Sequence, residues 1–310
     1  MTASVDPLAS GARAPAFGLA EFGLYSVTVF AWSTSWFALH LQLGVVAPEV
    51  SLVWRFLMAA AVLWAWLLVT RQRVRFPWRL HLKFAATGLL LFSFNFAMMY
   101  HAGEFLPSGL LSVVFSAASV FNIVLARIVF GIPISPRVAV GGAIGVVGVG
   151  LLFLPQVIGT TLDVGALIGL GLATLGTLAF SLGNMMSSTL QRDRVPVMSA
   201  SAWGLIYGVG LLALAAWWQG RPFIIVPSFA YVGSLAYLAV ICTVVAFWAY
   251  LTLLGRIGPS RAGYAAVMYP TFALLISTVA EGYQWTLPAL AGLALALFGN
   301  VVVLRSGRSR

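Results

Sequence analysis

The chain has 310 residues, of which 61% are hydrophobic and only 8% charged, where an ordinary soluble domain is about 25% charged. That is too little polar material to cover a globule in water, so a soluble domain, a disordered chain and a disulfide or Cys-metal scaffold (there is one cysteine, Cys242) are excluded. The net charge of +10 is strongly sorted along the chain and reads as a membrane-topology signal, with no nucleic-acid partner.

A helix needs about 20 apolar residues to cross the hydrocarbon core. Ten stretches qualify, in order Phe22–Gly44, Ser51–Thr70, Leu80–His101, Ser108–Phe130, Val138–Pro155, Gly165–Ser188, Val197–Gln219, Ala230–Leu254, Ser260–Ala280 and Pro288–Leu304. Short linkers between them hold the breakers, among them Pro48, Pro77, Pro107, Pro133, Pro196, Pro227 and Pro288. No segment shows the alternation of a transmembrane barrel. Residues 1–20 form a polar tail without the apolar core of a signal peptide, and residues 306–310 form a second tail. The expected fold is therefore an all-α polytopic membrane protein with the lipid bilayer as its solvent.

Fifteen of the 17 Lys and Arg fall in the tails and the even-numbered linkers, above all Arg71, Arg73, Arg75, Arg79 and Lys83 around the second. The odd linkers hold Arg221 together with Glu49, Glu104, Asp163 and Glu281, and Arg55 lies inside the second span. The positive-inside rule places both termini in the cytoplasm of a multi-pass protein of the cell's inner (plasma) membrane.

The sequence repeats itself. At an offset of 148, Ala31-Trp32-Ser33 falls on Ala179-Phe180-Ser181 and Pro48 on Pro196. At 152, Pro107-Ser108 falls on Pro259-Ser260, and at 151, Gly141 and Gly148 fall on Gly292 and Gly299. Two five-helix halves, 21–155 and 165–305, are implied. Five is odd, so the second half runs through the membrane in the opposite sense. Inverted repeats of this kind surround a central cavity and serve alternating access.

Ala-aromatic-Ser in the first helix of each half, Arg55 early in the second, and Gly258-Pro259-Ser260, Met268-Tyr269-Pro270 and Ala280-Glu281-Gly282 along the ninth resemble the drug/metabolite transporter superfamily of EamA type. The pattern is most similar to its bacterial aromatic amino-acid exporters. The first half departs from it, with Ala118 where Pro270 would map and no Glu closing its fourth helix. The resemblance implies a secondary transporter that exports a small-molecule substrate, an aromatic or large neutral amino acid. A multidrug or other metabolite exporter of the same superfamily is the alternative.

Helical spacing singles out residues for a path. Trp32, Ser33, Trp36 and His40 share a face of the first span, and Phe92, Asn95 and Met99 a face of the third. Ser108, Ser112, Ser116 and Ser119 run down the fourth. The repeat carries these onto Phe180, Ser181, Asn184 and Ser188, onto Val244, Phe247 and Leu251, and onto Ser260, Tyr264, Met268 and Thr271. Polar groups are costly in hydrocarbon and are expected to face a cavity or another helix. Two readings stand for each serine, cavity lining or a bond to its own helix. Trp32 and Trp36 read either as cavity wall or as lipid-facing bulk.

Among ionisable groups, His40 and Arg55 are expected to snorkel to the outer interface and Glu281 to anchor at it. All seven carboxylates lie at span ends, in linkers or in tails, so facilitated exchange without a carboxylate relay is expected. Pro270 in the ninth span frees the carbonyl of Ala266, which becomes a candidate ligand for a substrate ammonium, with Pro270 as a hinge or a plain packing kink. No HExxH, P-loop, Ser-His pairing or metal-ligand spacing occurs, so neither an enzyme nor a metal or cofactor is implied. A membrane scaffold would have no use for an inverted repeat.

Overall fold

The computed structural model describes residues 18–131, 133–158, 163–257 and 265–306, and among these the regular elements are all helices, joined by short turns and loops, without a strand. In lipid a chain has no water for its amides, so helices that close their own hydrogen bonds are the economical solution. Ten rods result among the described residues: α1 (Leu19–His40), α2 (Pro48–Val69), α3 (Trp78–Gly103), α4 (Ser108–Phe130), α5 (Pro136–Ile158), α6 (Val164–Arg192), α7 (Val197–Trp218), α8 (Phe229–Ala236 running on through Tyr237–Val245 to Ala246–Ile257), α9 (Ala265–Ala280) and α10 (Leu287–Ser306).

Seven of them, α2 to α8, are both long and apolar enough to cross a membrane. The apolar parts of α9 and α10, Met268–Ala280 and Leu287–Val303, are shorter. α1 has the length, at 22 residues, but its Ser, Thr and Trp content leaves it less apolar than the others. Helix starts follow local chemistry. Pro48 opens α2, the Asp163 carboxylate accepts from Ala166 N (3.0 Å) at the start of α6, and the Ser228 hydroxyl accepts from Tyr231 N (3.2 Å) at the start of α8.

The packing pairs off under exchange of the halves. α3 lies on α6 and α7, and α8 lies correspondingly on α1 and α2. α1 lies on α9 as α6 lies on α4, while α2·α7, α4·α9 and α5·α10 pair with their own counterparts. Detailed contacts repeat too. Trp54 Nε1 donates to Ile224 O (3.1 Å), and Trp203 Nε1 donates to Val74 O (2.9 Å). These partners are 149 and 150 residues apart. Each tryptophan near the start of α2 or α7 thus reaches the linker that follows the other helix, and the two bonds sit at opposite ends of an antiparallel pair.

α3 and α8 both contain a π-helical stretch, Gly88–Phe94 and Tyr237–Val245. The Ser93 hydroxyl donates to Gly88 O (3.0 Å) and the Thr243 hydroxyl to Leu238 O (2.8 Å), at positions 150 apart. A wide turn leaves backbone acceptors underused, and a hydroxyl five residues on satisfies them. This fixes the register between α3 and α8 at 150. Phe247 is then equivalent to Ala97, and the counterpart of Asn95 is Val245, two residues from the expected alignment.

The expected asymmetry at Pro270 is partly removed. Pro270 is buried inside α9, and α4, which has Ala118 instead, is nevertheless interrupted at Ala117. There the hydroxyls of Ser112 and Ser116 donate to the carbonyls three residues back (2.6 Å each), tightening the turns ahead of the break.

α5 and α10 approach closely through small residues. A methyl on Gly148 would lie 2.6 Å from Gly292 O, and one on Gly141 would lie 2.9 Å from Gly299 O. Without a hydrophobic drive between helices in lipid, such backbone contact supplies the attraction. Gly148→Val should therefore cost about 3 kcal/mol or more by overpacking, read as a lower melting temperature of the purified protein. Gly150→Val, where nothing lies within 4 Å, should melt like the parent. Equal melting of both variants would contradict the close approach.

Candidate functional site

The site is built on α1. Trp32 projects toward α8 and α9: its ring centroid lies 5.1 Å from that of Tyr250 and 6.3 Å from that of Tyr269. One turn on, Trp36 meets Phe115 of α4 at 5.4 Å, and Phe115 meets Phe180 of α6 at 4.7 Å. Both tryptophans face protein rings, which separates them from the lipid-facing reading. An aromatic seam therefore runs along α1 and joins α4, α6, α8 and α9.

α1 is tied to the π-helical stretch of α8. Trp32 Nε1 donates to Cys242 O (3.3 Å), Cys242 Sγ donates to Ala31 O (3.3 Å), and the Thr34 hydroxyl and Tyr237 hydroxyl are bonded at 2.6 Å. Residues at irregular helical turns have carbonyls to spare, and here one of them orients the indole.

The serines take the own-helix reading. Ser33 donates to Val29 O (2.6 Å), Ser112 to Gly109 O and Ser116 to Val113 O. Ser119 bonds Ser116 O (3.0 Å) and the amide of Asn300, gluing α4 to α10. Asn184 Nδ2 donates to Asn122 Oδ1 (3.3 Å), a bond between α6 and α4. Met99 is buried in the core with Leu111 and Ala173. Phe247 is half-buried, Met268 is 41% exposed and makes no contact with the seam, and Pro270 is buried. Ala266 falls within α9, while Tyr264 lies outside the described residues. The aromatic partner that α9 offers to Trp32 is its Tyr269.

Asn95 is different from the serines. It is 1% exposed, Nδ2 donates to Leu91 O (3.2 Å), and Oδ1 has no partner. A carbonyl accepts only, so the amide orientation is forced and the orphan is an acceptor. Arg55 does not snorkel. It is 5% exposed, with its guanidinium carbon 4.7 Å from the Phe96 ring centre and 5.2 Å from that of Phe56. Among the described residues its Nε, like Asn95 Oδ1, has no partner. His101, expected only as a helix-end residue, pairs with Glu49 at 3.0 Å.

Glu281 is more than an interfacial anchor. Its carboxylate accepts from Ser108 N (2.8 Å), from the Ser108 hydroxyl and from the Ser277 hydroxyl (2.9 Å). The end of α9 thus caps the start of α4. Among the described residues no group of His, Cys, Asp or Glu is arranged to hold a metal ion. Two open apolar grooves of about 380 and 220 Å³ flank Trp248 of α8, away from the seam.

Sequence reasoning missed Phe115, Tyr250, Tyr269 and Asn122, and read Arg55 as a surface cation. Phe115 and Tyr269 sit one residue from the nominated Ser116 and Met268.

An all-helical bundle with this apolarity, and a polar-aromatic seam inside it, is that of a multi-pass membrane transporter. The EamA-like transporter family matches residues 22–154 and again 167–305, and the chain belongs to that family. It is 30% identical to the uncharacterized inner membrane transporter YedA of Escherichia coli K12 over 94% of this chain and 90% of that protein. It is 26% identical to the "Probable amino-acid metabolite efflux pump" of Salmonella typhimurium, over 88% of this chain and 91% of that one. A solved crystal structure shares the fold with a TM-score of 0.66 at 18% identity, covering 93% of this chain and 99% of the other.

Glu281→Ala removes three hydrogen bonds to a charged acceptor and should cost about 2 kcal/mol or more, read as a lower melting temperature. If Glu281 only caps α4, the pH dependence of transport by the surviving protein stays that of the parent. A changed pH profile would make it a proton carrier.

Proposed function

We propose that the chain is a secondary transporter of the inner membrane that exports small amphiphilic metabolites, aromatic or large neutral amino acids, by alternating access between two inverted five-helix repeats with cytoplasmic termini. The observation that carries this reading is the pair of equivalent bonds, Trp54 to Ile224 O and Trp203 to Val74 O, at opposite ends of α2 and α7. A carrier needs one closure for each side of the membrane, and a fold whose halves exchange supplies the same closure twice. Interhelical hydrogen bonds in membranes are worth only about 0.6 kcal/mol each on average, which suits a closure that must open on every cycle.

The seam from Trp32 and Trp36 to Phe180 offers flat apolar surface, and Asn95 Oδ1 offers an acceptor for an ammonium. The name of the Salmonella relative points to the same substrates. Coupling follows from where the acids are. Glu49 is held by His101, Asp193 by Lys83, Asp163 caps α6, Glu281 caps α4 and Glu21 accepts from Gly18 N. With these described carboxylates each holding a structural contact, substrate in this reading is exchanged down its gradient, with Glu49, which keeps one buried oxygen unpaired, as the remaining candidate for a proton.

Counterflow of labelled phenylalanine in proteoliposomes tests this. Exchange should proceed without an imposed pH gradient, and Trp36→Ala or Asn95→Ala should slow it at least tenfold while the protein still reaches the membrane. Strict dependence on a pH gradient would overturn the coupling. Exchange of bulky cationic drugs in place of amino acids would favour a multidrug exporter.

Topology is checked separately. In a Cys242→Ala background, a cysteine at position 73 should be shielded from an impermeant reagent outside intact cells, and labelling there would reverse the orientation.

A further inference from the structure

Arg55 is a buried cation that the fold itself does not neutralise. It lies in the second turn of α2, 5% exposed, with its guanidinium carbon over the rings of Phe56 (5.2 Å) and Phe96 (4.7 Å), which pack on each other. The ion pairs among the described residues are Lys83 with Asp193 and His101 with Glu49 and Glu104, and none of them includes Arg55. Glu49, the carboxylate on its own helix, is turned to His101. The Tyr100 hydroxyl donates to Gln42 Oε1 (2.8 Å) and also hydrogen-bonds the Arg55 side chain; as a neutral partner it leaves the charge without a counter-ion among the described residues.

The scaffold has no need of this side chain. The equivalent position in the second half, by the register of Trp54 and Trp203, is Gly204, where even a methyl would meet the Phe92 ring at 3.1 Å. Opposite Arg55, the residue equivalent to Phe92 is the smaller Cys242, which lies within electrostatic reach of the guanidinium. Cys242 O in turn receives Trp32 Nε1 at 3.3 Å. Cys242 thus bonds the aromatic seam and lies within electrostatic reach of the guanidinium.

We infer that Arg55 is the anchor for a carboxylate on the transported molecule. This rests on the proposed transport reading and names the charged group the substrate must carry. A guanidinium presents two parallel donors that match the two oxygens of a carboxylate, and in a low-dielectric setting the pair is far stronger than in water. Two phenyl walls and a single cation suit a monoanion; a phosphate dianion would demand more positive charge. The unpaired acceptor of Asn95, one residue before Phe96, complements the unpaired donor of Arg55, and together they match a zwitterion.

The test is competition for counterflow and thermal stabilisation by four probes: phenylalanine, its amide, phenethylamine and phenylpropionate. On the parent protein the two carboxylates should bind about 30-fold more tightly than the amide and the amine. Arg55→Gln should erase that preference by weakening the acids alone, and Arg55→Lys should restore part of it. Equal binding of phenylalanine and its amide by the parent overturns the anchor while leaving transport intact. So does an Arg55→Gln protein that folds and keeps the preference. If Arg55→Gln does not fold, the parent's ranking of acid against amide decides. Arg55-dependent binding of phenylpropionate without phenylalanine would support the anchor and overturn the amino-acid reading, whereas binding of neither acid would overturn the anchor.

Discussion

Every backbone N–H and C=O held in hydrocarbon has to find its partner within the protein, and the rest of this structure follows from that requirement. It makes the chain helical. It also decides where the chain departs from regular helix. The π-helical stretches of α3 and α8 survive because Ser93 and Thr243 supply a hydroxyl to the carbonyl five residues back. The start of α4, which would expose unsatisfied donors, is closed by a carboxylate from the end of α9. Departures from ideal geometry are thus paired with side chains able to satisfy them, and those side chains belong as often as not to another helix.

That coupling of backbone need to tertiary contact explains the order of the bundle. α5 and α10 are held by the nearness of bare backbone at Gly141, Gly148, Gly292 and Gly299. Dispersion at that range needs no polar group and tolerates no added one, so the pair behaves as a fixed seam. α1 is held differently, by Trp32, Cys242, Thr34 and Tyr237, through directional bonds to irregular turns. Such bonds can be exchanged for others at small cost. The rigid and the adjustable parts of the molecule are distinguished by the kind of attraction each uses.

The helices were legible in the sequence because apolar length is a one-dimensional property, and the repeat was legible because proline and glycine mark helix ends and close contacts. The register of α3 against α8 was not, since a wide turn changes which face a residue occupies without changing composition. The aromatic seam was half legible. Spacing nominated Trp32, Trp36, Phe180 and Asn95, while Tyr250, Tyr269 and Phe115 carry no signal that separates a ring in a seam from a ring in a core. Arg55 was misread because a long cation near a span end has the reach to snorkel, and only the packing of Phe56 and Phe96 around it shows that it stays inside.

The two halves agree at the contacts that hold the bundle and differ at Arg55, Asn95 and Pro270. Trp54 and Trp203, Ser93 and Thr243, and the four glycines of α5 and α10 are equivalents that do equivalent work. Arg55 lies within electrostatic reach of Cys242, whereas the equivalent Gly204 packs on Phe92. The Asn95 acceptor has Val245 as its equivalent, and Pro270 of α9 has Ala118, beside a break held by serine hydroxyls. A perfectly symmetric bundle would present an amino acid with two identical half-sites, yet the molecule itself has a carboxylate, an ammonium and a side chain that differ in charge and shape. The proposed amino-acid substrate would then sit off the axis that relates the halves. Two polar positions at which the repeat breaks, Arg55 and Asn95, are among the five described residues that leave a buried donor or acceptor unpaired.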